Sequence, residues 1–92
     1  MKFDERKATP IMFTGGNPAL LKEFVEEGDE AVLFQNGELV TAQISSQKRK
    51  EILGIVTWSA YDPELHPEFA VGKEIQFFSK NIFGINKMGK NV

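Results

Sequence analysis

The stretch 31-AVLFQNGELVTAQI-44 decides the fold of this chain. Two runs that are typical of β-strands, residues 31–35 and 39–44, flank the dipeptide Asn36-Gly37. Asparagine and glycine tolerate the positive φ angles that a two-residue type I′ turn requires, and this turn matches the twist of paired strands. The stretch therefore predicts a tight β-hairpin near the centre of the sequence.

The two-residue turn also predicts the register of this hairpin. Leu33 should lie opposite Val40, and Ala31 opposite Ala42, on the face that also carries Ile44. We expect this face to be inward, because the residues that alternate with it in the second run include polar ones. Phe34 and Leu39 then fall on the outer face, where they require a cover.

The composition bounds the class of protein. A chain of 92 residues is expected to form one domain over 1–92, with 87–92 as a flexible tail. The absence of cysteine excludes disulfides and thiolate metal sites and fits a reducing compartment. The charged N-terminus is unlike a signal peptide, and no apolar run approaches the roughly 20 residues that span a bilayer. We therefore expect a cytoplasmic protein without a membrane partner.

A helix is predicted over residues 17–28. Asn17 suits the N-cap, Pro18 suits the first helical position, and Gly28 suits the residue that follows the helix. Leucine, phenylalanine and valine side chains recur at helical spacing between them, with acidic residues on the opposite side. The sequence thus predicts one N-terminal amphipathic helix.

Further strands are predicted over residues 9–13, 52–58 and 74–78, with a short terminal segment at 81–85. The expected fold is mainly β with one helix. It is either a small SH3-like barrel or a strongly bent antiparallel sheet of four to five strands, capped by the N-terminal helix. An open sheet with the helix on one face is the alternative. The expected core contains Phe24, Leu33, Val40, Ile44, Ile55, Val56, Ile75 and Phe77.

The run 69-FAVGKEIQF-77 resembles the V-G-D-x-V/I-x-F pattern that begins a late strand in many small bacterial barrels. Lys73 stands where that pattern has aspartate. The resemblance implies a barrel-like architecture and identifies no family.

Residues that could carry chemistry are sparse. His66 is the only histidine, and no nucleophile-elbow or phosphate-loop pattern accompanies it. We therefore expect no catalytic residues, no metal and no cofactor, and the protein is not expected to be an enzyme. His66 lies in the predicted loop 59–73, whose length favours a functional edge over a passive connector. A small-molecule or ion site in this loop is a third, lower-ranked hypothesis.

Two features favour binding. Lys48, Arg49 and Lys50 form a basic tip between two predicted strands. The candidate partner-binding residues are Trp58, Tyr61, His66, Phe78 and Phe83. For Trp58 and Phe77, packing in the core is the more common role in a domain of this size, and partner binding by Trp58 is weighed against it.

The leading hypothesis from the sequence is a small non-catalytic binding module or accessory protein, of bacterial or phage type, that acts through a protein–protein interface. The alternative is a nucleic-acid-binding β-barrel that uses Lys48, Arg49 and Lys50 together with exposed aromatic side chains.

Overall fold

A computed structural model describes residues 3–7, 10–15 and 25–87 of the chain. These residues form a six-stranded sheet with the strand order β1-β6-β2-β3-β4-β5. The strands are β1 (Met12–Gly15), β2 (Glu30–Gln35), β3 (Glu38–Lys48), β4 (Glu51–Ser59), β5 (Glu74–Phe78) and β6 (Gly84–Lys87). The 3₁₀ turns Pro67–Phe69 and Ser79–Asn81 lie on either side of β5.

The predicted architecture was wrong in two respects. β1 pairs in parallel with β6, so the sheet is mixed and has six strands, whereas four or five antiparallel strands were expected. The sheet is also not closed, because β1 and β5 form its two ends and do not pair with each other. A closed SH3-like barrel is therefore excluded. The parallel pair joins the two ends of the chain, and local sequence patterns carry no information about such distant pairing.

The predicted N-terminal helix is not seen. The described residues contain no α-helix, and most of the interval predicted as helical lies outside them. At its predicted C-terminal end, Val25 and Glu26 have no regular structure, and Glu27 and Gly28 form a turn. Gly28 does have the positive φ expected there, at 93°. The backbone of this turn bonds to β3, with Gly28 N–H donating to the Ile44 carbonyl at 2.8 Å.

The central hairpin is confirmed in detail. Leu33 lies opposite Val40 and Ala31 opposite Ala42, as the two-residue turn predicted. Asn36 and Gly37 have φ angles of 51° and 80°, both in the left-handed region. The Asp4 carboxylate accepts hydrogen bonds from the N–H groups of both turn residues, at 3.1 and 2.9 Å. The N-terminal segment thus fastens the turn from outside the hairpin.

Two β-bulges interrupt the pairing of β3 with β4. Thr41 lies opposite Trp58 and Ala42 opposite Val56, so Thr57 is an extra residue in β4. Ser45 is likewise an extra residue in β3. Each bulge shifts the in-and-out alternation by one residue beyond it. The two strands cover most of residues 45–51, and the hairpin continues to a tight turn at residues 49–50.

The core lies on one face of the sheet. Six of the expected core residues are buried there: Leu33, Val40, Ile44, Val56, Ile75 and Phe77. Ile55 is half-buried, because it alternates onto the outer face, and Phe24 lies outside the described residues. Gly54 brings β4 close to its neighbours, since a Cβ there would stand 3.1 Å from both the Phe77 ring and Ala42 Cβ.

The segment 3–7 completes this core. Phe3 is buried, and its ring packs edge-on against Phe69 at 5.9 Å and Phe77 at 6.4 Å. The buried Asn81 side chain donates to the carbonyls of Phe3 and Asp4 and accepts a hydrogen bond from Phe78 N–H. One amide side chain therefore ties the N-terminus to the end of β5.

Lys87, which the sequence analysis assigned to the tail, is the last residue of β6 and is buried. Residues 88–92 lie outside the described part. The Lys87 ammonium contacts Asp29 Oδ2 at 2.7 Å and Glu26 Oε1 at 2.8 Å. Burial lowers the pKa of Lys87, but the hydrogen bonds to Asp29 and Glu26 outweigh this effect and raise the pKa above its ordinary value.

Replacement of Gly37 with valine should lower the free energy of unfolding by roughly 1 kcal/mol or more, because a β-branched residue resists positive φ. A Cβ at this position meets no atom within 4 Å, so the loss would report backbone strain alone. Thermal denaturation measures it. An unchanged melting temperature would exclude the type I′ turn.

Replacement of Lys87 with methionine should lower the free energy of unfolding by roughly 3 kcal/mol, because it leaves the buried Asp29 carboxylate without its cation. The matched control is Lys80→Met, which removes an exposed pair with Glu5 at 3.2 Å and should cost less than about 1 kcal/mol. Urea denaturation compares the two. Similar small losses in both variants would contradict a stabilising role for the buried pair.

Candidate binding surface

Trp58 points away from the core. Trp58 is 52 % exposed, although its backbone pairs with Thr41 of β3. The bulge at Thr57 explains this, because it moves Trp58 onto the outer face opposite Thr41. The Thr57 hydroxyl bonds to the Thr41 hydroxyl at 2.7 Å and to Glu30 Oε2 at 2.9 Å, which fixes the bulge in place.

Other apolar side chains share this face. Trp58, Thr41 and Val32 lie in one cross-strand row, and the next row toward the Asn36-Gly37 turn pairs Leu39 with Phe34. The Phe83 ring packs edge-on against Phe34 at 5.0 Å and supplies part of the cover that Phe34 requires. All except Trp58 are half-buried. We call Val32, Phe34, Leu39, Trp58 and Phe83 the apolar outer patch.

The hairpin formed by β3 and β4 is basic at its turn, which is the end remote from Trp58. Lys48 ends β3, and Arg49 and Lys50 form the two-residue turn before Glu51 begins β4. All three cations are exposed, and none forms an ion pair with any residue that the structure describes. We call Lys48, Arg49 and Lys50 the cationic tip.

The backbone of the cationic tip is strained. Arg49 has a φ of 55°, and apart from Asn36 it is the only described non-glycine residue in the left-handed region. Asparagine and glycine adopt this region readily, whereas arginine there costs on the order of 1 kcal/mol. The turn between β2 and β3 thus places residues that adopt the left-handed region readily, Asn36 and Gly37, at its positive φ angles. The turn between β3 and β4 places Arg49, which adopts this region at a cost.

Phe78 lies beside the cationic tip. It pairs with Glu51, which pairs in turn with Lys48, so the three residues form one row on the outer face. The bulge at Ser45 places Lys48 on this face. The Phe78 ring is 39 % exposed, and the Lys80 ammonium lies 6.0 Å from its centroid, at the limit of a cation–π contact. The structure therefore joins an aromatic ring to the basic residues.

The apolar outer patch and the cationic tip are distinct regions. Phe78 lies opposite Glu51, seven positions before Trp58 in β4, which corresponds to about 20 Å along the strand. Glu30 and Glu74 lie in the row between them, with Gln43 and Ile55. The outer face is apolar at one end, acidic in its middle and basic at the other end.

Tyr61 contributes to the fold. Its ring stacks on the buried Phe69 at 4.7 Å, and its hydroxyl donates to the Gln35 carbonyl at 2.7 Å and contacts the Gln35 side-chain amide. Burial raises the pKa of Tyr61, and the carboxylates of Glu38, Asp4 and Glu68 raise it further. Through the stacking on Phe69 and the hydrogen bond to Gln35, Tyr61 anchors the loop 59–73 to the end of the sheet that bears the Asn36-Gly37 turn.

His66 lies at the outer end of the same aromatic cluster. Its ring is 4.7 Å from that of Tyr61, and Nδ1 is 3.6 Å from an exposed Glu68 carboxylate. The Asp62 backbone carbonyl and side chain hold the loop in a tight turn by accepting hydrogen bonds from nearby N–H groups. Within residues 3–7, 10–15 and 25–87, no group of three or more His, Asp or Glu side chains could hold a metal ion.

The candidate residues from the sequence fall into three groups. Trp58 and Phe83 share the apolar outer patch, Phe78 joins the cationic tip, and Tyr61 and His66 lie together in the loop. The sequence analysis missed Val32 as a member of the patch and Lys80 as a neighbour of Phe78. Of the members of the patch, Phe34 and Leu39 were placed on the outer face by the predicted hairpin register.

Comparison of the chain with protein-family models, with curated proteins and with solved structures found no match. No helix within the described residues is long and apolar enough to cross a membrane.

Replacement of Tyr61 with alanine should lower the free energy of unfolding by about 2–3 kcal/mol, because it removes the stacking on Phe69 and the hydrogen bond to Gln35. The neighbouring His66→Ala variant should lose less than about 1 kcal/mol, because His66 touches the cluster only from outside. Urea denaturation of both variants tests the difference. A loss for Tyr61→Ala as small as that for His66→Ala would show that the loop does not depend on this packing.

Proposed function

We propose that this chain is a non-catalytic cytoplasmic binding module that binds a protein partner through the outer face of its sheet. The observation that carries the proposal is the exposure of Trp58 at a position where its backbone pairs with Thr41 of β3. Tryptophan is the residue type most enriched among side chains that dominate binding energy at protein interfaces.

The position of Trp58 favours tight binding. Its backbone pairs with β3, and the hydrogen bonds of Thr57 to Thr41 and Glu30 stabilise the bulge that orients it. A residue whose backbone is already ordered loses less conformational entropy when a partner covers it. The half-buried members of the apolar outer patch extend the apolar area around it.

A protein partner fits the charge pattern of the outer face better than a nucleic acid does. A nucleic acid carries negative charge along its whole length, whereas Glu30 and Glu74 lie between the cationic tip and Trp58. The chain is also net acidic, with a formal charge of -2. A polypeptide changes its charge from one residue to the next and can match all three zones.

The test is affinity capture from a lysate of the source organism, with three immobilised forms of the protein. The unmodified protein and Leu65→Ala should recover the same partner protein, and Trp58→Ala should not. Leu65 is the matched control, because it is an apolar side chain that is 74 % exposed and does not belong to the apolar outer patch.

The chain contains one tryptophan, so its intrinsic fluorescence reports on Trp58 alone. Addition of the purified partner should shift the emission to shorter wavelength, because the indole leaves water. Equal recovery by Trp58→Ala would exclude the apolar outer patch as the interface. Recovery of nuclease-sensitive material alone would support the nucleic-acid alternative at Lys48, Arg49 and Lys50.

A further inference from the structure

We infer that the cationic tip is a docking element for an acidic peptide segment, rich in glutamate or aspartate, of a protein partner. The inference rests on the proposed function, since it names the chemistry of the partner at the end of the outer face remote from Trp58. Three observations carry it: unpaired charge, backbone strain, and the neighbouring aromatic ring.

The charge of the tip is available to a ligand. Lys48, Arg49 and Lys50 are consecutive and exposed, and within the described residues they have no acidic partner. Their one acidic neighbour in the row, Glu51, accepts a hydrogen bond from Gln76 at 2.7 Å. The guanidinium of an exposed arginine can bind a carboxylate through two parallel hydrogen bonds.

The strain at Arg49 indicates that the tip is not optimised for folding. A two-residue hairpin turn with a left-handed residue favours glycine or asparagine, as the turn at residues 36–37 illustrates. Strained backbone of this kind concentrates at functional sites. The side chain of Arg49 therefore has a use that outweighs the stability that glycine would add.

Phe78 gives the site an apolar floor. It lies in the same outer-face row as Lys48, on the far side of Glu51, so a peptide that passes over Glu51 can place its aliphatic carbons over the ring while its carboxylates meet the cations. The site has one exposed ring, and the acidic row containing Glu30 and Glu74 follows it. Nucleic-acid strands require a longer basic track with several stacked rings, which favours the acidic peptide over an oligonucleotide.

The test measures binding of a short fluorescently labelled poly-glutamate peptide to the full chain at low salt, by fluorescence anisotropy. The double variant Arg49→Gly/Lys50→Gln should bind about tenfold more weakly, because it removes two of the three cations. Its melting temperature should rise, because glycine relieves the strain at position 49. The rise shows that weaker binding is not caused by unfolding.

The matched control is Lys7→Gln/Lys73→Gln, which removes the same charge from exposed positions outside the tip. It should bind the peptide like the unmodified protein. Trp58→Ala should also bind normally, because the probe is too short and too polar to need the apolar outer patch. This separates the inference from the proposed function, which is tested by loss of the native partner from Trp58→Ala.

Three binding results would overturn the inference. They are no binding of the peptide by the unmodified protein, equal weakening by the control variant, and tighter binding of a single-stranded oligonucleotide than of the peptide. A melting temperature of Arg49→Gly/Lys50→Gln that is unchanged or lower would also overturn it, because the strain argument would then be wrong. None of these results would contradict the proposed function, which is tested by capture of the native partner through Trp58.

Discussion

Two β-bulges in the pairing of β3 with β4 determine whether Trp58 and Lys48 face the core or the outer face of the sheet. In a regular antiparallel pair, alternation would turn Trp58 toward the core with Val56, and Lys48 toward the core with Ile44. The extra residues Thr57 and Ser45 each reverse the alternation beyond them, so that Trp58 and Lys48 face outward. Re-aiming a side chain is a recognised role of β-bulges. The apolar outer patch and the cationic tip both depend on this interruption of the ladder.

The fold was predictable where its determinants are local in sequence. The Asn36-Gly37 turn sets the register of β2 and β3 directly, since only a few residue pairs accept its backbone angles. The six confirmed core residues followed from the alternation in the strands. The parallel pairing of β1 with β6 was not predictable, because it joins Met12 to Gly84 across most of the chain. Among the described residues, β1 pairs only with β6 and β5 only with β4, so these two strands form the ends of an open sheet.

The candidate site was predictable only as a set of residue types. Aromatic and basic residues were identifiable from the sequence, but their grouping depends on register across β3, β4 and β5. Phe78 shares a row with Lys48, across Glu51, because β4 pairs with both neighbouring strands and Ser45 is bulged, and neither fact leaves a pattern in the sequence. Trp58 is exposed for the same kind of reason. Tyr61 shows the converse, since a loop aromatic that suggested a binding edge is held by Phe69 and Gln35.

The turns at the two ends of β3 differ in how well their residues suit the backbone conformation. At one end, Asn36-Gly37 has favourable backbone chemistry, and Asp4 bonds to both of its N–H groups. At the other end, Arg49 holds an unfavourable φ with no such support among the described residues. Strain on the order of 1 kcal/mol is a substantial part of a domain's typical net stability of 5–15 kcal/mol. The strained φ of Arg49 persists because the start of β4, directly after the turn, is paired on both sides, with β3 and with β5. These hydrogen-bonded strands hold the turn in the conformation that Arg49 disfavours. The three paired strands thus hold the cationic tip in a backbone conformation that its own residues disfavour.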